Sequence, residues 1–271
     1  LAFLLGGYGL KTVFFRSKEK SLPNQVDSLQ SLSQNSLPKV DVLIAARDEE
    51  AVLQRLVEGI AALDYPEDKL ATWIVDDGSK DRTPIILKEL TKKFQNLHVI
   101  RRSISDGGGK SGALNEALSE IKGDWVLILD ADAQLQEDTL SRLITYAVNG
   151  GFSCVQLRKA VVNNQSNALT SFQAMEMAMD AVIQQGRLAN RGVVELRGNG
   201  QFLRRCALNG CGGFNEETVT DDLDLSFRLL LSGDLVGILW DPPVQEEAVE
   251  TLSALWRQRQ RWAEGGLQRF F

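Results

Sequence analysis

The sequence contains little cysteine and histidine, and it is not basic. Its three cysteines include no CxxC pair, so neither a disulfide framework nor a zinc site is expected, and the reducing cytosol suits them best. A histidine-centred triad or metal site would depend on His98 alone, and this residue lies in the apolar stretch LHVIR, where an ordinary strand residue is the simpler interpretation. Lys and Arg number 30 against 36 Asp and Glu, a formal net charge of −6, so no nucleic-acid partner is expected.

The first residues of the chain predict contact with a membrane. The chain begins at Leu1 rather than Met, and the stretch LAFLLGGYGLKTVFF is apolar apart from Lys11. Because a membrane span needs about 20 apolar residues, we expect this stretch to be the tail of a span in a longer protein, with the basic residues of RSKEK on the cytoplasmic side. A cleaved leader or an amphipathic segment is the alternative. The closing EGGLQRFF predicts the start of another membrane-proximal segment over residues 266–271.

Between these ends the chain alternates strands and helices. A Ser-, Gln- and Asn-rich linker at 21–38 comes first. Apolar runs then predict strands at 40–46, 70–77, 97–101, 125–130, 152–158 and 235–240, and helices at 49–63, 83–94, 110–121, 137–149, 166–188, 221–232 and 251–265. Such alternation predicts an α/β fold with a mostly parallel sheet covered by helices on both faces. We divide the chain into residues 1–37, a Rossmann-like half at 38–135, a second half at 136–265, and residues 266–271.

Acidic residues follow three of the predicted strands. Asp48 follows the first strand, Asp76 and Asp77 end the second, and Asp130 and Asp132 follow the fourth. In open α/β sheets, ligands bind outside the carboxyl ends of the strands. The sequence therefore predicts a ligand at that edge, and a ligand with hydroxyls and a metal would suit the acids.

The stretch LDADA carries the strongest metal signal. Two carboxylates one residue apart, directly after a strand, can hold Mg²⁺ or Mn²⁺ shared with a phosphate. A solvated turn is the alternative, since Asp favours turns. An EF-hand is excluded, because the glycine expected at its sixth position is Leu135.

Two glycine-containing stretches suit a nucleotide. In VDDGS, the acids directly after the strand can accept hydrogen bonds from a nucleoside, while a simple turn explains Gly78 alone. In DGGGKSGALNEAL, the glycine run before a helix lets a phosphate approach backbone N–H groups, and Lys110 supplies positive charge. A Walker A loop is not expected, because the glycine it needs five residues before Gly109 is Ile104.

Two helices carry the remaining candidates. In VTDDLDLSFRLLL, Leu223, Phe227 and Leu230 predict one apolar face, and Thr220 or Asp221 is expected to cap the helix. Asp222 lies in the first turn of this helix. It is either a general base held on a rigid element or simply a carboxylate that is favoured at the start of a helix.

In WRQRQRW, the spacing i, i+3, i+4 places Gln258, Arg261 and Trp262 on one face, which suits a phosphate beside a sugar ring. A basic helix on a membrane surface is the alternative.

Taken in order, these stretches resemble the membrane-integrated family 2 glycosyltransferases. The resemblance covers about residues 38–265 and rests on DVLIAARDEE, VDDGS, GGKSGALNEAL, LILDADA, GNGQFLRR, VTDDLDL and QRQRW. It implies a GT-A fold, a UDP-sugar donor, and transfer with inversion by the catalytic domain of a multi-pass membrane protein on the cytoplasmic face. The first half would then bind the nucleotide sugar and the second half the acceptor. The implied donor-binding residues are Asp48, Asp77, Lys110, Asp130 and Arg261. The implied metal ligands are Asp132 and Asp130, the acceptor-binding residues Gln258 and Trp262, and the catalytic base Asp222.

The acceptor stays open at this stage. The processive polymer synthases often carry an FFCGS-like acceptor stretch, and the corresponding residues here are RGNGQFLRR. This departure favours a diacylglycerol-type lipid, whereas the QxxRW pattern favours a growing polysaccharide, and glucose and N-acetylglucosamine are not distinguished. Two other classes remain as alternatives. A nucleotidyltransferase would need a glycine-rich loop after the first strand, where AARDEE stands, and a non-catalytic nucleotide-sugar-binding module would transfer nothing.

Overall fold

The predicted strands begin and end within three residues of the observed ones, except that the last strand ends six residues beyond its prediction. The structure is a computed structural model, and it describes residues 37–190 and 192–268. The strands in these residues are β1 (Val40–Ala46), β2 (Leu70–Asp77), β3 (Leu97–Arg102), β4 (Trp125–Leu129), β5 (Cys154–Val161), β6 (Gln201–Arg204) and β7 (Val236–Glu246). The α-helices are α1 (Leu53–Ala61), α2 (Thr83–Lys93), α3 (Gly109–Glu120), α4 (Thr139–Gly150), α5 (Ala168–Ala189), α6 (Arg205–Gly210), α7 (Asp221–Leu231) and α8 (Leu252–Gln268).

All the described strands form one sheet, in the order β3-β2-β1-β4-β6-β5-β7. Neighbouring strands are parallel except for β6, which is antiparallel to both β4 and β5. The predicted α/β fold with a mostly parallel sheet is therefore confirmed. Strand β6 and the short helix α6 were not predicted. The stretch GNGQFLRR has only two apolar residues, Phe202 and Leu203, and the glycines and polar residues around them do not form a strand pattern.

Apolar residues fill both faces of the sheet. Along β1, the buried Val42 and Ile44 pack with α1, α2 and α4, whereas Leu43 packs with α3 and α7 on the other face. Successive side chains of a strand point to opposite faces, so a strand buried on both faces is apolar along most of its length. This two-sided packing explains the continuous apolar runs and fixes the carboxyl ends of the parallel strands at one edge.

The apolar face predicted for α7 is wrong. Phe227 is 57% exposed and Leu230 is 44% exposed, whereas Leu225 and Leu229 are fully buried and pack under the sheet. The helix carries leucines on both sides, so the spacing that begins at Leu223 does not distinguish the inner face from the outer one. The predicted cap is also wrong, because the helix begins after Thr220 without a side-chain capping hydrogen bond.

The predicted membrane-proximal ends lie mainly outside the described residues. The segment at 1–37 falls outside them except for residue 37, and of 266–271 only the last turn of α8 is described. No helix among the described residues combines the length and the apolar character that crossing a membrane requires.

Candidate active site

The acids predicted at the strand ends lie along one edge of the sheet. Strand β1 lies between β2 and β4, and all three run parallel, so their carboxyl ends meet. Asp48 follows β1, Asp77 ends β2, and Asp130 and Asp132 follow β4. The geometry brings the predicted donor and metal residues of the first half to this edge.

The two acids expected at the nucleoside are held by hydrogen bonds. Asp48 has a positive φ of 58°, and its Oδ1 accepts from the backbone N–H of Lys80 at 2.7 Å. Its own N–H donates to Ser79 Oγ at 3.0 Å. Asp77 Oδ1 accepts from Nη1 of Arg102 at 2.9 Å. These contacts fix both carboxylates before any ligand binds.

Arg102 is a site residue that the sequence analysis missed. Its side chain is 4% exposed, and besides Asp77 it pairs with Glu116 of α3 at 2.9 Å. Its Nη2 donates to the carbonyl oxygen of Gly107 at 2.7 Å. Gly108 precedes α3 in the left-handed region at φ 68°, which suits glycine. Arg102 therefore ties the end of β2 to the glycine loop that leads into α3.

Lys110 is held against the first acid of LDADA. Its ammonium donates to Asp130 Oδ1. Burial alone would lower the pKa of Lys110, but the carboxylates of Asp130, Asp221 and Asp222 raise it above its ordinary value. Burial likewise opposes ionisation of Asp130, yet Lys110, with Arg261 among the other cations, holds the pKa of that carboxyl below its ordinary value. The two groups form an ion pair.

The second acid of LDADA lies in an excess of negative charge. Asp132 Oδ2 accepts from the N–H of Glu247 at 3.0 Å. Burial raises the pKa of Asp132, and the charges of Asp130 and Glu246 raise it further. Glu49 was not identified as a candidate from the sequence. Its pKa is raised to about 7 by burial and by the charges of Asp132 and Asp130. Crowded carboxylates of this kind are stabilised by a cation.

The donor set fits a metal that is shared with a ligand. Among the described residues, no group of three or more His, Cys, Asp or Glu side chains is placed to hold a metal ion. Mg²⁺ is commonly bound by one or two carboxylates together with the phosphates of a substrate. Asp130 and Asp132 supply such a pair, and burial together with neighbouring carboxylates raises the pKa values of Asp132 and Glu49 beside it.

Asp222 lies near the Lys110–Asp130 ion pair. It is in the first turn of α7, and its carboxylate and that of Asp130 both act on the Lys110 ammonium. Burial raises the pKa of Asp222 to about 6, with Asp221 adding to the effect and Lys110 among the groups that oppose it. At neutral pH this carboxyl is therefore ionised and more basic than an ordinary aspartate. Such a group can accept a proton from a hydroxyl.

Helix α8 brings the second half of the site together. Gly265 is its buried residue, and it packs so closely on Thr220 that a methyl group at Gly265 would overlap the threonine side chain. Gln258 and Arg261 precede Gly265 by seven and four residues, which places them on the same side of the helix as Gly265, where Gln258 is half-buried and Arg261 is exposed. The charge of Arg261 reaches Asp130. Arg261 is therefore near enough to Asp130 to help lower the pKa of that carboxyl.

Trp262 lies at the edge of this face. It is 36% exposed, and the guanidinium of Arg259 stacks over its ring at 4.4 Å. Arg259 also pairs with Glu176 of α5, with Nη1 2.8 Å from Oε1. Trp262 is thus fixed at the rim of the cleft, with part of its surface open to a ligand.

Comparison with known proteins adds a family to this geometry. The model of the "Glycosyltransferase like family 2" matches residues 38–265. The chain is 51% identical over 233 residues to the beta-monoglucosyldiacylglycerol synthase of Synechocystis sp., covering 86% of the chain and 49% of that protein. It is 47% identical over 270 residues to the synthase of the same name from Trichormus variabilis, covering 100% of the chain and 56% of that protein. The chain thus spans about half the length of these relatives.

Solved structures show the same fold. A mannosyltransferase from Pyrobaculum calidifontis, in complex with GDP-Man and Mn²⁺, superimposes with a TM-score of 0.72 over 99% of the chain and 74% of that protein. Its sequence is only 19% identical, so the likeness concerns the fold.

Proposed function

Because the chain belongs to glycosyltransferase family 2, we propose that it transfers a hexose from a UDP-sugar to a hydroxyl of a diacylglycerol-type lipid, with inversion at the anomeric carbon. One observation carries this proposal: the segment 198–200 contacts both acids, since Asn199 Oδ1 accepts from the N–H of Asp130 at 3.1 Å and a Cβ atom added at Gly198 would lie 3.7 Å from Oδ2 of Asp222. The proposed donor-binding carboxylate and a basic carboxylate therefore lie close to each other, as a displacement on a sugar diphosphate requires. A nucleotidyltransferase receives no such support, since the matching family transfers sugars.

The donor would bind along the sheet edge. Asp48 and Asp77 would accept hydrogen bonds from the uridine, since their carboxylates are already fixed by Lys80 and Arg102. Lys110 and Arg261 would pair with the diphosphate, for which charge-assisted hydrogen bonds are well suited. The Lys110–Asp130 ion pair would then have to break, or the Lys110 ammonium would have to donate to Asp130 and to a phosphate oxygen at the same time.

Asp130 and Asp132 would hold Mg²⁺ or Mn²⁺ together with the diphosphate. When bound, this ion would neutralise negative charge on the departing UDP, as a Lewis acid does. The Pyrobaculum relative of the fold is described with Mn²⁺ and GDP-Man, which supports a divalent ion without selecting between the two metals. Of the two carboxylates, Asp132 is the one not already paired with a lysine.

The chemical step needs one base. The acceptor oxygen forms a bond to the anomeric carbon while the bond from that carbon to the UDP oxygen breaks, and UDP leaves with the electron pair. Asp222 takes the hydroxyl proton as the new bond forms, a contribution of typically about 10²–10⁴ in rate. No second nucleophile is proposed, so the displacement is direct and the configuration inverts. Gln258 and Trp262 would contact the acceptor, with Trp262 offering its open ring surface at the rim.

The relatives favour a lipid acceptor over a polysaccharide. Both named relatives are glucosyldiacylglycerol synthases, and RGNGQFLRR stands where the polymer synthases often have their acceptor stretch. We expect membranes that contain the protein to convert radiolabelled UDP-glucose and diacylglycerol into a chloroform-soluble glycolipid. UDP-N-acetylglucosamine is assayed in parallel, and membranes with the Asp222→Asn variant serve as the blank. Label recovered in an insoluble polymer, with none in the lipid phase, would refute the lipid acceptor.

A lipid acceptor requires access to a membrane, and we propose that the protein acts on its cytoplasmic face. Two rows of exposed apolar side chains support this. Phe172, Met175, Met179 and Ile183 form one row along α5, and Leu252, Trp256 and Leu267 form the other along α8. We call these seven residues the α5–α8 surface. The two helices together carry four arginines and three acids in a chain whose net charge is −6, so they are less acidic than the chain as a whole.

Trp256 offers a direct readout of this surface. We expect vesicles that contain anionic and bromine-labelled lipids to quench the tryptophan emission of the protein, and most of this quenching to disappear in Trp256→Phe. The control is Trp73→Phe, which removes a tryptophan that stacks on His98 of β3, at the far side of the sheet. Equal quenching in the two variants would show that the α5–α8 surface does not contact the bilayer.

A further inference from the structure

The stretch GNGQFLRR contains a fully buried asparagine between the two halves of the site. Asn199 is 0% exposed and lies between Gly198 and Gly200, which both have positive φ, at 78° and 76°. We refer to Gly198, Asn199 and Gly200 as the 198–200 loop. The N–H of Gly200 donates to the carbonyl oxygen of Ile128 in β4 at 3.0 Å, so the loop is anchored to the strand that leads into Asp130.

The side chain of Asn199 bridges this strand to β7. Its Oδ1 accepts from the backbone N–H of Asp130 at 3.1 Å. Its Nδ2 donates to Oε2 of Glu246 at 3.1 Å. Glu246 is 8% exposed and pairs through Oε1 with Lys159 at 2.8 Å. An asparagine suits this position because one end must accept a hydrogen bond and the other must donate one.

A second buried amide fixes the backbone on both sides of Asn199. Gln156 is 2% exposed, its Nε2 donates to the carbonyl oxygen of Asn199 at 2.7 Å, and its Oε1 accepts from the N–H of Arg197 at 2.7 Å. The 198–200 loop therefore has little freedom to shift. Buried polar groups that are fully paired in this way specify one local arrangement.

The other side of the loop faces the proposed base. A Cβ atom added at Gly198 would lie 3.7 Å from Oδ2 of Asp222, which is ordinary van der Waals contact. One side of the loop thus holds the backbone of Asp130, and the other borders the carboxylate of Asp222. The loop therefore borders both residues.

We propose that Asn199 is a positioning residue that sets the backbone of Asp130 against the carboxylate of Asp222. It touches neither substrate and acts through the 198–200 loop. The inference rests on the proposed function, because the distance it controls matters only if the two carboxylates act on one donor and one acceptor. A displacement of about 1 Å can cost about 10²-fold in rate.

The first test is Asn199→Ala in the full chain. We expect kcat to fall about 10²-fold while the affinity for UDP measured in EDTA stays unchanged, since the uridine contacts lie at β1 and β2. Hydrogen exchange of the metal-free protein adds a readout that needs no activity. Because the Asp130 N–H loses its acceptor, its exchange should become about fivefold faster, while the amides of β2 keep their rates.

The sharper test exchanges the two partners. Asn199→Asp keeps an acceptor for Asp130 but sets two carboxylates against each other, and kcat should fall as in Asn199→Ala. The double variant N199D/E246Q restores a carboxylate–amide pair with the donor and acceptor reversed. We expect the kcat of this double variant to recover to within about tenfold of the kcat of E246Q alone. The single variant E246Q is the reference because it also lacks the ion pair with Lys159.

A matched control separates positioning from loss of stability. Asp41 is 4% exposed and accepts from the Nε1 of Trp73 at 2.9 Å, but it lies at the amino end of β1, away from the site. Asp41→Ala should lower the melting temperature without lowering kcat. The proposal is overturned if N199D/E246Q stays as impaired as Asn199→Asp, or if the Asp130 amide keeps its exchange rate in Asn199→Ala. A wild-type protein that transfers no sugar would instead refute the proposed function, and the amide exchange would still decide the role of Asn199.

Discussion

Replacing Asp222 with asparagine is expected to lower sugar transfer by about 10³-fold or more while leaving the affinity for UDP nearly intact. The amide keeps the shape of the side chain and the acceptor for the N–H of Leu223, but it cannot take a proton from the acceptor hydroxyl. The measurements are initial rates of transfer from radiolabelled UDP-glucose and calorimetric titration with UDP. Binding should survive because the proposed uridine contacts, Asp48 and Asp77, lie on the opposite half of the sheet edge.

Asp221 supplies the matched control for this prediction. It is the preceding acid on the same helix, and its charge helps to raise the pKa of Asp222 to about 6. In the wild type, transfer should decline as the pH falls through about 6, because Asp222 becomes protonated. Asp221→Asn should keep most of the activity and move this decline to lower pH, since removing a neighbouring negative charge lowers the pKa. Wild-type turnover in Asp222→Asn, or a greater loss in Asp221→Asn, would contradict the assignment of the base.

The sequence alone predicts the sheet and its acidic edge with good accuracy. Strands β1 and β2 match their predicted bounds, because each reads as a mostly apolar run. The acids follow such runs directly, so their convergence depends only on the strands being parallel. For the same reason, the meeting of Asp48, Asp77 and Asp130 at one edge could be predicted without coordinates.

Features that depend on packing between distant segments could not be predicted. The inner face of α7 stayed ambiguous because leucines occur on both of its sides, and only the sheet beneath Leu225 decides between them. Arg102 reads as one of two arginines at the end of a strand, and its role depends on a loop that forms around it. Asn199 stands in a polar stretch that resembles an ordinary turn. Its partner Glu246 is 47 residues away, and no local pattern records that contact.

Replacing Asp132 with asparagine is expected to remove the metal-dependent part of donor binding and to lower turnover by about 10²-fold or more, since a bound divalent ion contributes several kcal/mol at a departing diphosphate. The amide oxygen can still accept from the N–H of Glu247, so the loop before α8 should keep its place. The variant loses the negative charge of Asp132, which is the proposed metal ligand that is not paired with a lysine. Titration with UDP in the presence of Mn²⁺, of Mg²⁺ and of EDTA separates the metal-dependent affinity from the remainder.

Asp77→Asn provides the contrast that makes this result specific. Its carboxylate accepts from Arg102 on the nucleoside side of the edge, so its loss should weaken UDP binding equally with and without metal. In Asp132→Asn, by contrast, the affinity in EDTA should equal that of the wild type, and adding Mn²⁺ should change it little. Undiminished wild-type turnover in EDTA would contradict a metal at this pair of carboxylates. If Mn²⁺ raised the UDP affinity of Asp132→Asn as much as that of the wild type, the ion would be held elsewhere. Another positive group would then have to offset the negative charges of Asp132, Asp130 and Glu49.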